Sequence, residues 1–431
     1  MDASRRVLDA DVLVEDGRIT SVGKLDSRKV ATKQPSTLDC TGLVILPGLI
    51  QAHIHLCQTL FRGLADDLSL ENWLAKRIWP LEAAHTQDSI HASAMLGAAE
   101  LLLGGTTAIL DMETVRHTGA AFEALESIGI RATAGKCLMD GSANPPSLRE
   151  STDAALSESA DLSARWHGAA AGRLRYCFAP RFAPSCTGPL LRAVSDLAEQ
   201  AGAVIHTHAA ETLLELDIVK RETGHDEIAY LDSVGISGPR AALAHCVWVD
   251  KDGIARLARQ GTNVVHCPSS NLKLGSGVAP IPEMLAAGCR VGIGADGAPC
   301  NNRLDAFAEM RLAALVQKPR LGPETMPAAQ VLELATLGGA RALGLESEIG
   351  SIEVGKRADL IALDLDGPHA QPAGADLISR IVYSARAADV RHVIVDGRVV
   401  VRDGALKTGD VAKIRETANK EARRLRRAVG L

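Results

Sequence analysis

The chain has 431 residues, 46% of them hydrophobic but only 3% aromatic, with a formal net charge of -5. That balance excludes nucleic acid as a main partner, since a phosphate-binding face needs a basic excess, and no apolar run reaches the roughly 20 residues of a membrane span. Nine scattered cysteines, without a CxxC pair and without a charged-then-apolar leader, suit reduced, buried thiols in a cytoplasmic protein.

The first predicted elements are short strands at 10–15 and 18–22, separated by Asp16-Gly17. The segment 350–405 has the same character and its own Asp-Gly turn, Asp396-Gly397. The two ends are expected to pair as one small composite β-sandwich domain, residues 1–43 with 350–405. Between them, residues 44–349 alternate apolar strands with Ala- and Leu-rich helices, the pattern of βα units around a parallel sheet. Strands are expected near 44–52, 106–111, 130–138, 174–179, 203–208, 241–245, 263–266 and 291–296. Helices are expected over 88–104, 118–128, 188–202, 211–223, 251–260 and 281–288. Eight strands in this order predict a (β/α)8 TIM-like barrel, a fold that places its active site at the carboxyl ends of the strands. Residues 406–431 read as a C-terminal segment with a charged amphipathic helix from 411, whose cluster Arg423, Arg424, Arg426 and Arg427 suits a solvated face.

The first barrel strand runs into His53-Ile54-His55. Residues i and i+2 of a strand point to one side, so both imidazoles project together and can share a divalent ion. An isolated pair of alternating histidines is weak evidence, but later strands also end in polar groups: His206-Thr207-His208 on the fifth, His245 on the sixth, His266 on the seventh and Asp296 on the eighth. The smallest metal site is His53, His55, one histidine of strand five, and Asp296. Three imidazoles and a carboxylate suit zinc or ferrous iron, and such an ion acidifies water. Glu211, three residues past His208, suits either a proton carrier or a first-turn carboxylate on a helix dipole.

The strings PGLIQAHIHLCQTLFRG, HTHAAET, LAHCVW, HCPSSNLKLGSG and GADGAPCNN resemble the amidohydrolase superfamily over nearly the whole chain. Within it they are similar to the mononuclear aminohydrolase branch, which deaminates adenosine-type nucleosides, guanine and related heterocycles, and which includes s-triazine hydrolases. The resemblance implies His53, His55, His208 and Asp296 as ligands of one divalent metal, zinc first, with iron or manganese as alternatives. It leaves His206 to packing. It implies that Glu211 shuttles a proton to a ring nitrogen, that His245 orients the nucleophile and stabilises the adduct, and that Asp296 also accepts the proton of the attacking water. Lysine is missing from 174–179, where binuclear relatives carry a carboxylated bridging lysine, so one metal is expected.

For the substrate, Glu82 matches a residue that nucleoside deaminases place on ribose hydroxyls, although it also suits the exposed face of a helix. The stretch TLFRGLADDL at 59–68 resembles the adenosine-type subgroup, and Lys136 matches a basic substrate-contact position. Arg181 and Phe182, in PRFAPSC, instead resemble guanine deaminases, where that pair holds the purine. Pro299-Cys300-Asn301-Asn302-Arg303 lacks the second cysteine of the P-C-x-x-C motif of cytidine-type deaminases, which excludes that architecture.

The expected activity is hydrolytic deamination of an aminopurine, foremost an adenosine-type nucleoside: 5′-deoxyadenosine, 5′-methylthioadenosine or S-adenosylhomocysteine. A guanine-like base or an s-triazine is the alternative substrate. A non-catalytic scaffold is disfavoured because His53, His55, His208, Glu211, His245 and Asp296 are all present. Relatives are commonly homo-oligomers, and they carry a further strand before Asp2-Ala3-Ser4, so a homo-oligomer and a start upstream of Met1 are expected.

Overall fold

The computed structural model describes residues 5–24 and 36–431. The strands before the barrel are β1 (Asp11–Glu15), β2 (Arg18–Gly23) and β3 (Val44–Pro47). The barrel is built from β4 (Leu49–Ile54), β5 (Thr106–Met112), β6 (Arg131–Gly135), β8 (Leu174–Pro180), β9 (Val204–Ala209), β10 (Ala241–His245), β11 (Asn263–His266) and β12 (Arg290–Ile293), with the short β7 (Cys137–Leu138) beside β8. Each barrel strand pairs in parallel with the next in chain order. The circle closes where Asp296 N donates to His53 O at 3.1 Å, and a Cβ added to Gly294 would lie 2.7 Å from His53 N. β4, β5 and β6 are buried along their whole length, as strands of a parallel sheet covered on both faces are.

A second, antiparallel sheet joins both ends of the chain in the order β16 (Ala405–Leu406), β15 (Arg398–Arg402), β14 (Val390–Val395), β13 (Leu360–Leu363) and β3. β1 and β2 form a separate hairpin that meets this unit through an Arg18–Arg357 bridge and a small core around Ile19, Ala358 and Leu360. Its turns follow from local chemistry. Asp16-Gly17, Asp396-Gly397 and Asp403-Gly404 all hold positive φ at both positions, as a two-residue hairpin turn with right-handed twist requires. Residues 1–4 and 25–35 of the N-terminal range assigned to this unit lie outside the described residues.

The expected strand 44–52 divides in two. Gly48 passes so close to β5 that a Cβ there would sit 1.9 Å from Thr107 Oγ1, and its N–H donates to Asp359 O at 2.8 Å. The chain thus leaves the small sheet as β3 and enters the barrel as β4 within one residue. The expected strand 130–138 likewise divides at Lys136. Helices at Thr152–Trp166 and Ala306–Val316 fall outside the expected set. The helix Val411–Ala428 buries Ile414, Ala418 and Leu425 and packs on the helix Gln87–Leu103. Arg424 of its basic cluster is drawn into packing, reaching Ala84 O at 3.4 Å and Thr86 Oγ1 at 3.3 Å. Among the described residues no helix is long and apolar enough to cross a membrane. All nine cysteines are free thiols, and all but Cys40 are buried.

The sheet and the barrel are joined by a buried ion pair. Arg131 on β6 donates from Nε to Asp359 Oδ2 at 2.6 Å and from Nη2 to Asp359 Oδ1 at 2.9 Å, and the two side chains are 4% and 2% exposed. Arg131→Ala leaves the Asp359 carboxylate buried beside fewer donors. The expected destabilisation is about 3–5 kcal/mol, seen as a lowered thermal midpoint. An unchanged midpoint would show that Asp359 is solvated without Arg131.

Candidate metal centre and active site

The polar strand ends meet at one mouth of the barrel. His53 Nε2 and His55 Nε2 each lie 3.3 Å from Asp296 Oδ1, and His55 Nε2 lies 3.1 Å from His208 Nε2. The donor atoms of His53, His55 and Asp296 lie within 4.8 Å of one another, as do those of His53, His208 and His245. The structure therefore brings together His53, His55, His208 and Asp296, the four expected ligands. His266, at the end of β11, is buried outside both groups, and neither of its nitrogens has a partner among the described residues.

The outer nitrogens fix the rings. His55 Nδ1 donates to Met112 O at 2.7 Å and His208 Nδ1 to Arg181 O at 2.5 Å. Each carbonyl forces the proton onto Nδ1 and leaves the inner Nε2 with its lone pair. His53 is fixed differently. His206 Nδ1 donates to Ala242 O at 3.1 Å, which makes His206 Nε2 the acceptor for His53 Nδ1–H at 2.7 Å. His206, expected to be packing, thus sets the tautomer of a ligand. His53 Nε2 is buried with no hydrogen-bond partner among the described residues, so its lone pair faces the other donors. Burial holds His53 down to about 4, and also keeps His55 and His208 below the ordinary imidazole range. Neutral imidazoles with inward lone pairs and a carboxylate are the donor set that a divalent metal takes, so the residues fit the ion.

Around this centre stand the groups for proton transfer. Burial would raise Asp296, but His53, His55 and His245 outweigh it and hold the carboxyl well below its usual range. Ser270 Oγ donates to Asp296 Oδ2 at 2.6 Å, and Gly297 N to Oδ1 at 2.7 Å. His245 Nε2 lies 3.7 Å from Glu211 Oε2 and 3.9 Å from Asp296 Oδ2, and its Nδ1 meets Asn271 Oδ1 at 2.8 Å. Burial alone would lower His245, yet the Glu211 and Asp296 carboxylates and the bond to Asn271 raise it. Burial pushes Glu211 up to about 7, and Ser276 Oγ donates to its Oε1 at 3.1 Å. Ser270, Asn271 and Ser276 escaped the sequence reading as site residues, although all three lie inside HCPSSNLKLGSG.

A cavity of about 330 Å³ opens above these groups. Its floor is His55, His208, Glu211, His245 and Asp296, and its walls include Trp73, Leu74, Trp79, Phe182, Leu214 and Leu274. Gln58 and Arg181 also line it. Glu82 stands behind them, 3% exposed, not on an exposed helix face. Its carboxylate is saturated: Arg181 Nη1 donates at 2.7 Å, Gln58 Nε2 at 2.9 Å, Arg181 Nη2 at 3.2 Å and Thr114 Oγ1 at 3.3 Å. A ribose hydroxyl could reach this carboxylate only by displacing one of those donors. Lys136 is not brought to the site. It is fully buried between β6 and β7, with Nζ 2.7 Å from Glu150 and 2.9 Å from Glu158, because those carboxylates and Val115 O offer a buried ammonium its partners.

His206→Phe keeps an aromatic ring, somewhat larger, but removes the acceptor for His53 Nδ1. Metal affinity is expected to fall about 10–100-fold, measured by competition with a chelator. Unchanged affinity would mean that His53 keeps its tautomer unaided.

Residues 44–400 match the family model described as "Amidohydrolase family". A 5-methylthioadenosine/S-adenosylhomocysteine deaminase of Desulforudis audaxviator is 43% identical over 416 residues, covering 96% of this chain and 94% of that protein. A 5'-deoxyadenosine deaminase of Methanosarcina mazei is 39% identical over 417 residues, covering 96% and 93%. Among solved structures, an adenosine deaminase from Xanthomonas campestris with bound zinc superposes with a TM-score of 0.91 at 33% identity, covering 97% of this chain and 94% of the other. With that likeness running end to end and a histidine-rich metal site at the mouth of its barrel, the chain belongs to the amidohydrolase family.

Proposed function

We propose that the protein catalyses metal-dependent hydrolytic deamination of an aminopurine, foremost 5′-deoxyadenosine, 5′-methylthioadenosine or S-adenosylhomocysteine. The observation that carries this reading is the convergence of Glu211, His245 and Asp296 on one buried His/Asp metal site at the floor of an apolar cavity. The near-full-length relatives named for nucleoside deamination support the substrate class. A single zinc ion is the proposed cofactor, held by His53, His55, His208 and Asp296; zinc in the Xanthomonas campestris structure supports it, and iron or manganese are other metals such donors take. When bound by these residues, such an ion would supply a water that loses its proton near neutral pH.

The chain's own residues do the rest. Asp296 accepts the proton of the attacking water. Glu211, buried and raised toward neutrality, carries a proton to the ring nitrogen next to the attacked carbon, so that no negative charge builds on the ring. His245 donates to the oxygen that has added to the carbon and stabilises the tetrahedral adduct. Asp296 returns its proton to the exocyclic amine as the carbon–nitrogen bond breaks, so that ammonia leaves, and the added hydroxyl gives its proton back to Glu211, which leaves the oxo-purine.

Recognition of the rest of the substrate is assigned to Arg181, Gln58 and Phe182, with Glu82 acting through the first two. Gln58 Oε1 is buried without a donor among the described residues, and Arg181 keeps N–H groups beyond those spent on Glu82. An acceptor beside a donor suits ribose hydroxyls. It also suits the carbonyl and N–H edge of a guanine-like base, and Arg181 with Phe182 favours that as the second reading. Nine free thiols support a cytoplasmic enzyme. Exposed Leu213, Leu214, Trp248, Leu272 and Val278, on segments that follow β9, β10 and β11, support a homo-oligomer.

The test is ammonia release by the metal-loaded enzyme from 5′-deoxyadenosine, 5′-methylthioadenosine, S-adenosylhomocysteine, guanine and an amino-triazine. Turnover concentrated on the nucleosides is expected; turnover on guanine or the triazine alone overturns the first reading. Glu82→Gln removes the charge that fixes Arg181. It should raise KM for the nucleoside about 10–100-fold with a smaller effect on kcat. A kcat loss at constant KM would instead place Glu82 in the chemistry.

A further inference from the structure

Barrel strand β9 ends at Ala209, and the next residue, Ala210, is a non-glycine residue in the left-handed region at φ 51°. That conformation costs about 1–2 kcal/mol and persists only when the surroundings hold it. The turn matters because it delivers Glu211. Two consecutive N–H groups in it are claimed by carboxylates from two different helices. Ala210 N donates to Glu227 Oε2 at 3.0 Å, and Glu211 N donates to Glu215 Oε2 at 2.7 Å.

Both carboxylates open their helices, Leu213–Thr223 and Glu227–Ser233, where an acidic residue ordinarily faces its own helix dipole. Here each turns away to the backbone of the neighbouring turn. Glu215 is 5% exposed and Glu227 1%. Neither Oε1 meets a donor from any other described group, and the two carboxyls lie within hydrogen-bonding reach of each other. Two buried carboxylates in contact cannot both be charged; burial and the Glu215 contact raise Glu227 well above the usual range, while burial raises Glu215 against the hydrogen bonds from Glu211 N–H and Glu227. The other titratable groups facing them are Glu211, His245 and Cys246.

We propose that Glu215 and Glu227 form a carboxyl pair bridged by a single proton, which clamps the Ala210–Glu211 turn and so positions the Glu211 side chain for proton transfer. The proposal rests on the role given to Glu211 above. Glu227 does not line the cavity, so it is a positioning residue that acts through Ala210 and Glu215.

The bridge makes a prediction by hydrogen-bond count. In Glu227→Ala, Ala210 N–H loses its acceptor and Glu215 its partner. In Glu227→Gln, the amide oxygen accepts from Ala210 N–H and the amide N–H donates to the Glu215 carboxylate, reproducing the clamp. In the double variant Glu215→Gln/Glu227→Gln, two amide N–H groups face each other and the clamp is lost again. Two readouts are taken on the metal-loaded protein: steady-state deamination, and hydrogen exchange of the 209–212 backbone by mass spectrometry. E227A and the double variant are expected to lose about 10²-fold in kcat with KM and metal content held, and to exchange faster at 209–212. E227Q should recover to within about fivefold of the parent with slow exchange. If E227A does not fold, the contrast between E227Q and the double variant decides alone. A double variant as slow to exchange and as active as E227Q overturns the clamp, and so does an E227Q that exchanges as fast as the double variant. If the parent releases ammonia from no nucleoside, the proposed function fails, and the order of exchange rates still decides the clamp.

Discussion

Everything at the barrel mouth follows from one buried carboxylate. Asp296 is 4% exposed and lies among imidazoles that burial keeps neutral. A charge so placed is costly unless positive charge and hydrogen bonds compensate it. Ser270 Oγ–H and Gly297 N–H supply part of that compensation, and a divalent cation shared with the inward lone pairs of His53 and His55 is the natural remainder. The same carboxylate draws His245 toward the protonated form and helps keep Glu211 neutral into the physiological range, because its charge reaches both. The acid, the base and the metal site are thus one electrostatic system.

The fold supplies that system by geometry at the strand ends. Ala210 after β9, His245 ending β10 and Asp296 after β12 are all left-handed, with φ of 51°, 72° and 63°. An ordinary exit from a parallel strand would carry these side chains away along the next helix. The left-handed exits bring Glu211, His245 and Asp296 to the mouth instead, at about 1–2 kcal/mol each. The strain is held by partners around it: Cys246 N donates to Ala209 O at 3.0 Å, Trp248 N to Ala210 O at 2.9 Å, and Asp296 N to His53 O at 3.1 Å. Neighbouring strand ends therefore fix one another around the mouth of the barrel.

What could be read in the sequence divides along a physical line. Residues whose role follows from backbone periodicity were legible. His53 and His55 share a face by strand alternation, and the barrel strands end in histidine, glutamate or aspartate where the fold puts its chemistry. The two-ended small sheet was legible too, through its Asp-Gly turns. What escaped depends on distances between residues far apart in the chain. His206 was read as packing because nothing local reveals that its Nε2 meets His53 across the barrel. Glu82 matched a sugar-reading position, but Arg181 lies 99 residues away and claims its carboxylate. Lys136 matched a substrate position by alignment of motifs, yet its ammonium is settled by Glu150 and by Glu158 of a helix that the pattern did not foresee. The division at Gly48 has a local mark in Pro47-Gly48, but that glycine is required there only by the approach of Thr107 from another strand.

That division at Gly48 bears on the order in which the molecule can be assembled. β3 leaves the ribosome early, but its pairing partner β13 begins at residue 360 and the strand that extends the sheet, β14, at residue 390. The strand bearing His53 and His55 follows β3 directly and closes on β12, itself made after residue 289. The first half of the metal site is therefore synthesised long before anything that can hold it in place. A nascent chain lacking its last third presents β3 as an unpaired apolar edge and its first two ligand histidines without their aspartate. Contacts of such long sequence separation form slowly, and the four proposed ligands can meet only once residue 296 has been made.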